Sequence, residues 1–193
     1  MLLDVPSLDL FAGARVVITG PSGSGKSLLL STLTGRWAPG LRFEGERHAT
    51  SPRIGFVPQR GLDALHPLIP LGRQLQRVSA ASVERVGQTL DAVGLSDPAM
   101  RRRRPAELSG GQAQRAAVAL AALTDAPLIL ADEPTSALDH ESRDLMLTLL
   151  AEVITAAQTL VVATHDSVVA EAIATRHLTV AHGTVTEVPV QIR

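Results

Sequence analysis

Residues 15–27 read RVVITGPSGSGKS. The first five predict a short buried strand, 15–19. A glycine-rich loop comes next at 20–26, and 27–34 predicts a helix stopped by Gly35. A strand, a GxxxxGK(S/T) loop and a helix in that order build a phosphate cradle. The glycines let backbone N–H groups turn inward toward the β- and γ-phosphates. Lys26 adds a point charge on the same oxygens, and Ser27 offers its hydroxyl to Mg²⁺. A tight turn with an exposed lysine is the bland alternative, and the flanking strand and helix argue against it. The 18 basic residues are 17 arginines and Lys26 alone. In a chain so biased toward arginine, a lysine kept at this one position has a chemical reason.

Further along, residues 128–133 read LILADE, an apolar strand (128–131) that ends in two carboxylates. In α/β sheets the carboxyl ends of strands face the ligand. Asp132 is placed there to hold Mg²⁺. Glu133, one residue on, is placed to polarise an attacking water as a general base. By itself Asp-Glu-Pro would simply start a turn; with the loop at 20–27 it becomes a candidate site.

The rest of the chain alternates in the same way. Strands are predicted at 54–57 and 159–163, and helices at 109–123, 140–156 and 166–174. A hairpin at 177–188 turns at His182-Gly183. Residues 61–106 differ: they contain Pro67, Pro70, Pro98 and Pro105 and two helical patterns, at 71–78 and 82–93. They read as an inserted helical sub-domain. Strands alternating with helices imply a mostly parallel sheet covered on both faces.

The totals narrow the function classes. A length of 193 residues suits one domain with a sub-domain, and 45% hydrophobic against 19% charged residues suits a packed core. The net charge of -1 does not favour bulk attraction to nucleic acid. With no cysteine, neither disulfides nor thiolate zinc sites are available. No basic-then-apolar leader opens the sequence and no apolar run approaches the ~20 residues of a membrane helix. A soluble protein is expected, and any membrane role would be borrowed from a partner.

A second glycine-rich turn, AELSGGQAQR at 106–115, opens an alanine-rich helix with no nucleophile beside it. Taken in order, the segments resemble the ATP-binding cassette (ABC) ATPases: GPSGSGKS at 20–27, Gln59 in FVPQR, LSGGQ at 108–112, LILADE at 128–133, SALD at 136–139 and His165 in VATHD. The resemblance covers nearly the whole chain, and LSGGQ is its most specific part.

That resemblance implies an α/β fold of the P-loop NTPase type. It implies one cassette over 1–193, with 1–60 and 107–193 as a RecA-like core and 61–106 as the helical sub-domain. Residues 35–53 are short for the family, so its antiparallel β sub-domain is expected in trimmed form. Nucleotide contacts carry over to Gly20, Pro21, Ser22, Gly23, Ser24, Gly25, Lys26, Ser27 and Leu28. Mg²⁺ contacts carry over to Ser27, Gln59 and Asp132. Glu133, His165 and Gln59 carry over as catalytic positions. Ser109, Gly110, Gly111 and Gln112 would cap the ATP of a second cassette in a head-to-tail dimer, and Asp139 would lie between the two. Physically, a helix N-terminus with free N–H groups suits a γ-phosphate.

The implied partners are membrane permease subunits, an identical or paralogous second cassette and an extracytoplasmic solute-binding protein, with no nucleic acid. The implied location is the inner face of the cell membrane. Residues 61–75, GLDALHPLIPLGRQL, are similar to the matching stretch of peptide, nickel and metallophore uptake ATPases, which suggests import. The aromatic residues depart from the pattern. The family stacks adenine on an upstream aromatic ring, and here the aromatics are only Phe11, Trp37, Phe43 and Phe56.

Overall fold

The computed structural model describes residues 2–136 and 138–190. Strands β1 (Arg15–Thr19), β2 (Ile54–Val57), β3 (Leu128–Asp132), β4 (Thr159–Thr164), β5 (Arg176–Ala181) and β6 (Thr184–Val188) form one sheet in the order β2-β3-β4-β1-β5-β6. All neighbours are parallel except β5 and β6. Parallel pairs cannot be joined by tight turns, so helices make the crossovers. These are α1 (Lys26–Thr34), α4 (Gly110–Leu123), α5 (His140–Val153) and α6 (Ser167–Ile173). The β5–β6 hairpin turns at His182 (φ 50°) and Gly183 (φ 76°), the double positive φ of a type I′ turn.

Burial on both faces explains the nearly continuous apolar strands. Val16 and Ile18 of β1 pack with Leu29 and Leu30 of α1 on one face. Val17 packs on the other, with residues of α4, α5 and α6. Each of these β1 residues is fully buried.

The register places the site. Thr19 pairs with Thr164, and Asp132 with Ala163. β1, β3 and β4 therefore end level with one another. The residues just past each strand end (Gly20, Glu133 and His165) emerge along one edge of the sheet.

Between β2 and α4, α2 (Leu71–Ser79) and α3 (Val83–Ala92) pack against α4 and each other through Leu71, Leu75, Val86 and Leu90. A 3-10 turn, Gly61–Ala64, seats directly on α4. A Cβ at Gly61 would lie 2.4 Å from the carbonyl of Ala113, so only glycine allows this approach.

The structure shows how far residues 35–53 are trimmed and corrects one helix end. Residues 36–53 form no strand, so the trimmed antiparallel sub-domain is reduced to a loop. Its two prolines, two glycines and scattered charges lack the alternation a strand needs. It is held by the stacked rings of Trp37 and Phe43, 4.9 Å apart, and by Arg47, whose Nε donates to Leu33 O at 3.0 Å. Helix α5 ends at Val153, three residues before the predicted 156. The Arg15 guanidinium takes the carbonyls of Ile154, Thr155 and Gln158 at 2.8, 3.1 and 2.5 Å, which satisfies the helix end there.

Candidate functional site

The phosphate loop joins β1 to α1. A Cβ at Gly20 would lie 2.3 Å from Val180 O, so a side chain is excluded. Gly25, the N-cap of α1, has φ 110° and supplies no side-chain cap. The first-turn N–H groups of α1 are thus left to an external acceptor, and an anion is the fitting one. A cavity of about 410 Å³ opens here, lined by Ser22, Gly23, Gly25, Lys26, Ser27 and Leu28 together with Gln59, Glu133 and Leu2.

Lys26 is only 6% exposed, unusual for a lysine. Its ammonium donates to Gly20 O at 2.8 Å and Pro21 O at 3.2 Å and lies 3.4 Å from Glu133 Oε1. Glu133 has φ 47°, a left-handed conformation rare outside glycine. Its own N–H donates to Ala163 O at 2.8 Å, extending the β3–β4 ladder by one bond. That turn aims its carboxylate back over the loop. Glu133 Oε2 lies 2.7 Å from His165 Nδ1 and accepts the His165 backbone N–H at 3.3 Å. The sheet edge thus brings Lys26, Glu133 and His165 into one chain of contacts.

Asp132 sits beneath them. Burial pushes its carboxyl above the usual range, partly opposed by a hydrogen bond from Ser27. Its Oδ1 is buried and has no hydrogen-bond partner. Such an oxygen needs a cation or a donor. Ser27, which hydrogen-bonds Asp132, lines the cavity together with Gln59, and the oxygens these three side chains offer are all hard, which suits Mg²⁺. Among the described residues no group of three His, Cys, Asp or Glu forms a metal cluster. A Mg²⁺ ion held by few protein ligands and by phosphate oxygens fits that pattern.

The LSGGQ residues lie elsewhere. Ser109 caps α4: its Oγ accepts from Gln112 N at 3.3 Å, and Gln112 Oε1 accepts from Ser109 N at 3.0 Å. Gly110 and Gly111 border a second cavity, of about 170 Å³, with Gln59, Gly61, Gln114 and Leu138. The single chain does not bring them to the phosphate loop. Gln59 borders both cavities, and its Nε2 donates to Ser136 Oγ at 3.3 Å. Asp139 caps α5 through Ser142 N at 2.8 Å. That backbone N–H holds its carboxyl below the usual range.

The aromatic rings lie away from this cavity. Phe11 sits at the opposite edge of the sheet. Its carbonyl accepts from Thr159 Oγ1, at the start of β4, and its ring lies under Arg176 at 5.9 Å. None of the four aromatic residues lines the phosphate cavity. Leu2 does, held nearby by an Asp4 N–H bond to Gly183 O at 2.6 Å. No sequence signal marks Leu2, because its place depends on a contact across about 180 residues. Sequence reasoning also passed over Arg143, which reaches Asp166 beside His165.

Comparison with known proteins points to one family. The ABC transporter family model matches residues 3–136. The thiamine import ATP-binding protein ThiQ of Jannaschia sp. (strain CCS1) is 39% identical over 191 residues, covering 92% of this chain and 82% of that protein. An uncharacterized ABC transporter ATP-binding protein of Mycobacterium tuberculosis is 38% identical, covering 83% of this chain and 54% of that protein. The macrolide export ATP-binding/permease protein MacB of Burkholderia thailandensis is 36% identical, covering 88% of this chain and 28% of that protein. Against those last two, the chain spans about half or less of its relatives' length. Among solved structures, a dimeric, post-hydrolysis ATP-binding cassette bound to ADP and Pi superposes with TM-score 0.80 at 31% identity, covering 98% of this chain and 91% of that one. The chain belongs to the ABC transporter family.

Proposed function

We propose that this chain is the ATP-hydrolysing component of an ABC transporter. The observation that carries the proposal is the convergence of Lys26, Ser27, Gln59 and Glu133 on one cavity at the open N-terminus of α1, with His165 on Glu133 and Asp132 on Ser27. Lys26 and the loop N–H groups bind the β- and γ-phosphates. Ser27, Asp132 and Gln59 hold Mg²⁺, which when bound neutralises charge on the phosphates. Glu133 orients a water and takes its proton, and His165 holds Glu133 in place and faces the γ-phosphate.

A second cassette completes the site. Gly110 and Gly111 are helical, and a Cβ on either would meet nothing within 4 Å. Each glycine costs the helix about 1 kcal/mol relative to alanine. Nothing inside the single chain requires them. A backbone that must come close to a phosphate on another molecule does. Ser109, Gly110, Gly111 and Gln112 therefore cap the partner cassette's ATP, with Asp139 at the seam.

No helix among the described residues is long and apolar enough to cross a membrane. The transport path belongs to a permease component, and this cassette docks on its cytoplasmic side. Import of peptides, nickel or metal chelates is the reading of residues 61–75, with a solute-binding protein as the further partner. The relatives bear names of both importers and exporters, so direction rests on that stretch.

The test is co-purification. Tagged Glu133→Gln is recovered from native membranes with ATP and Mg²⁺. A multi-span permease should come with it, and its companion subunits name the cargo class. Recovery with ribosomal or DNA-repair proteins from the soluble fraction alone would refute the transporter reading.

A further inference from the structure

His165 is 55% exposed, so packing alone does not hold its ring. The next residue, Asp166, is tightly held. It caps α6 by accepting from Val168 N at 2.9 Å with Oδ1. Its N–H donates to Thr164 Oγ1 at 3.1 Å. Its other oxygen, Oδ2, accepts from Arg143 Nη1 at 3.2 Å, and this pair is shielded, at 26% and 16% exposed. Arg143 also touches its exposed neighbour Asp144 at 3.0 Å. The Arg143 backbone N–H donates to Asp139 O at 2.8 Å, the first bond of α5.

These bonds form one path. Asp139 leads to Arg143, Arg143 to Asp166, Asp166 to the adjacent His165, and His165 to Glu133 at 2.7 Å. We propose that Arg143 is a positioning residue for His165 and Glu133. Acting through Asp166, it makes the loop that carries Asp139 and the pair His165–Glu133 move as one body. This rests on the hydrolysis reading of the same site. It adds that seating a partner against Asp139 is felt at Glu133 through a charged contact, not through packing alone.

The test uses Arg143→Met, which keeps the stem and removes the charge, Arg143→Lys, and Asp166→Asn, which keeps the α6 cap. Steady-state ATP turnover is measured on the chain with the partners it is isolated with. Arg143→Met and Asp166→Asn should each lower kcat about 10-fold, the scale of a sub-ångström misplacement, and leave KM for ATP within about twofold. Arg143→Lys should recover part of the rate. The double variant should be no slower than either single one, because both remove the same contact. Additive losses, an unchanged kcat, or a raised KM with kcat kept would overturn the proposal. A purely structural role would lower the melting temperature and spare kcat per folded molecule. A second readout needs no turnover. Imidazole NMR signals of nucleotide-free protein, with His165 assigned through His165→Gln, should show one ring environment in the wild type and averaging in Asp166→Asn. Unchanged His165 signals would overturn the proposal. Absence of ATP binding by the wild type would refute the hydrolysis reading and leave this readout intact.

Discussion

Lys26 and Glu133 are ion-paired, Nζ to Oε1 at 3.4 Å, with both side chains largely buried. One is the proposed phosphate-binding cation and the other the proposed base. The ammonium also donates to the loop's own carbonyls, Gly20 O and Pro21 O. A γ-phosphate entering the loop competes for those same donors. On the proposed mechanism, binding would pull Lys26 toward the phosphate and free Glu133 for water. The ion pair sets these two charges against each other.

This pairing makes the Glu133→Gln variant informative. Losing the general base should slow ATP hydrolysis at least ~100-fold. Nucleotide affinity should be retained or raised, since Lys26 no longer has a carboxylate to leave. Single-turnover phosphate release and equilibrium binding check the two halves separately. A near-normal rate would move the base elsewhere.

The glycines predict opposite stability effects. Gly61→Ala puts a Cβ 2.4 Å from the Ala113 carbonyl. Overpacking of that kind costs about 1–3 kcal/mol, or several degrees of melting temperature at this chain length. Gly110→Ala meets nothing within 4 Å and should stabilise α4 by up to about 1 kcal/mol. It should nevertheless reduce turnover, because the new methyl group would face the proposed partner cassette. Thermal denaturation and ATPase assays of both variants check this. A Gly110→Ala chain that is both more stable and fully active would remove the argument for a backbone contact there.

A modest acid sensitivity is expected where α3 meets the turn after α4. Arg85 grips Asp125 with both nitrogens, at 2.8 and 2.5 Å. The guanidinium holds the Asp125 carboxyl below its usual 3.8. A carboxyl with a depressed folded-state pKa stabilises the fold above its unfolded pKa. That stability is lost as pH falls through the folded value, so the loss begins below about pH 4. Both partners are about half exposed, at 48% and 56%. The pair is therefore screened and worth roughly 0.2–1 kcal/mol. Arg85→Ala should lower stability by that amount at neutral pH, with the difference from wild type shrinking in acid. Urea melts at pH 7 and pH 3 measure it; a difference that grows in acid would contradict the assignment.

Much of this was legible in the sequence. The 15–19 strand, its loop and its helix come from apolar runs bounded by glycines. The LILADE stretch ends at the sheet edge because β3 pairs level with β4, and a buried parallel strand is a continuous apolar run. The His182-Gly183 turn was readable because type I′ turns demand positive φ at both central positions. Contacts between residues far apart in the chain stayed hidden. Leu2 on the phosphate cavity, Arg143 on Asp166, and Arg15 on the carbonyls after α5 each depend on tertiary placement and leave no periodicity behind. The shortness of residues 35–53 pointed to a trimmed sub-domain, and how far the trimming goes, to a loop over 36–53, is seen only in the structure.

The phosphate loop carries the central claim, and calorimetric titration of the purified chain with ATP and Mg²⁺ tests it most directly. The wild type should bind one ATP per chain. Lys26→Ala should lose about 10- to 100-fold in affinity, the scale of a charge-assisted hydrogen bond to phosphate. A wild type that binds no ATP, or a Lys26→Ala chain that binds as tightly as the wild type, would contradict the assignment of this edge as the nucleotide site.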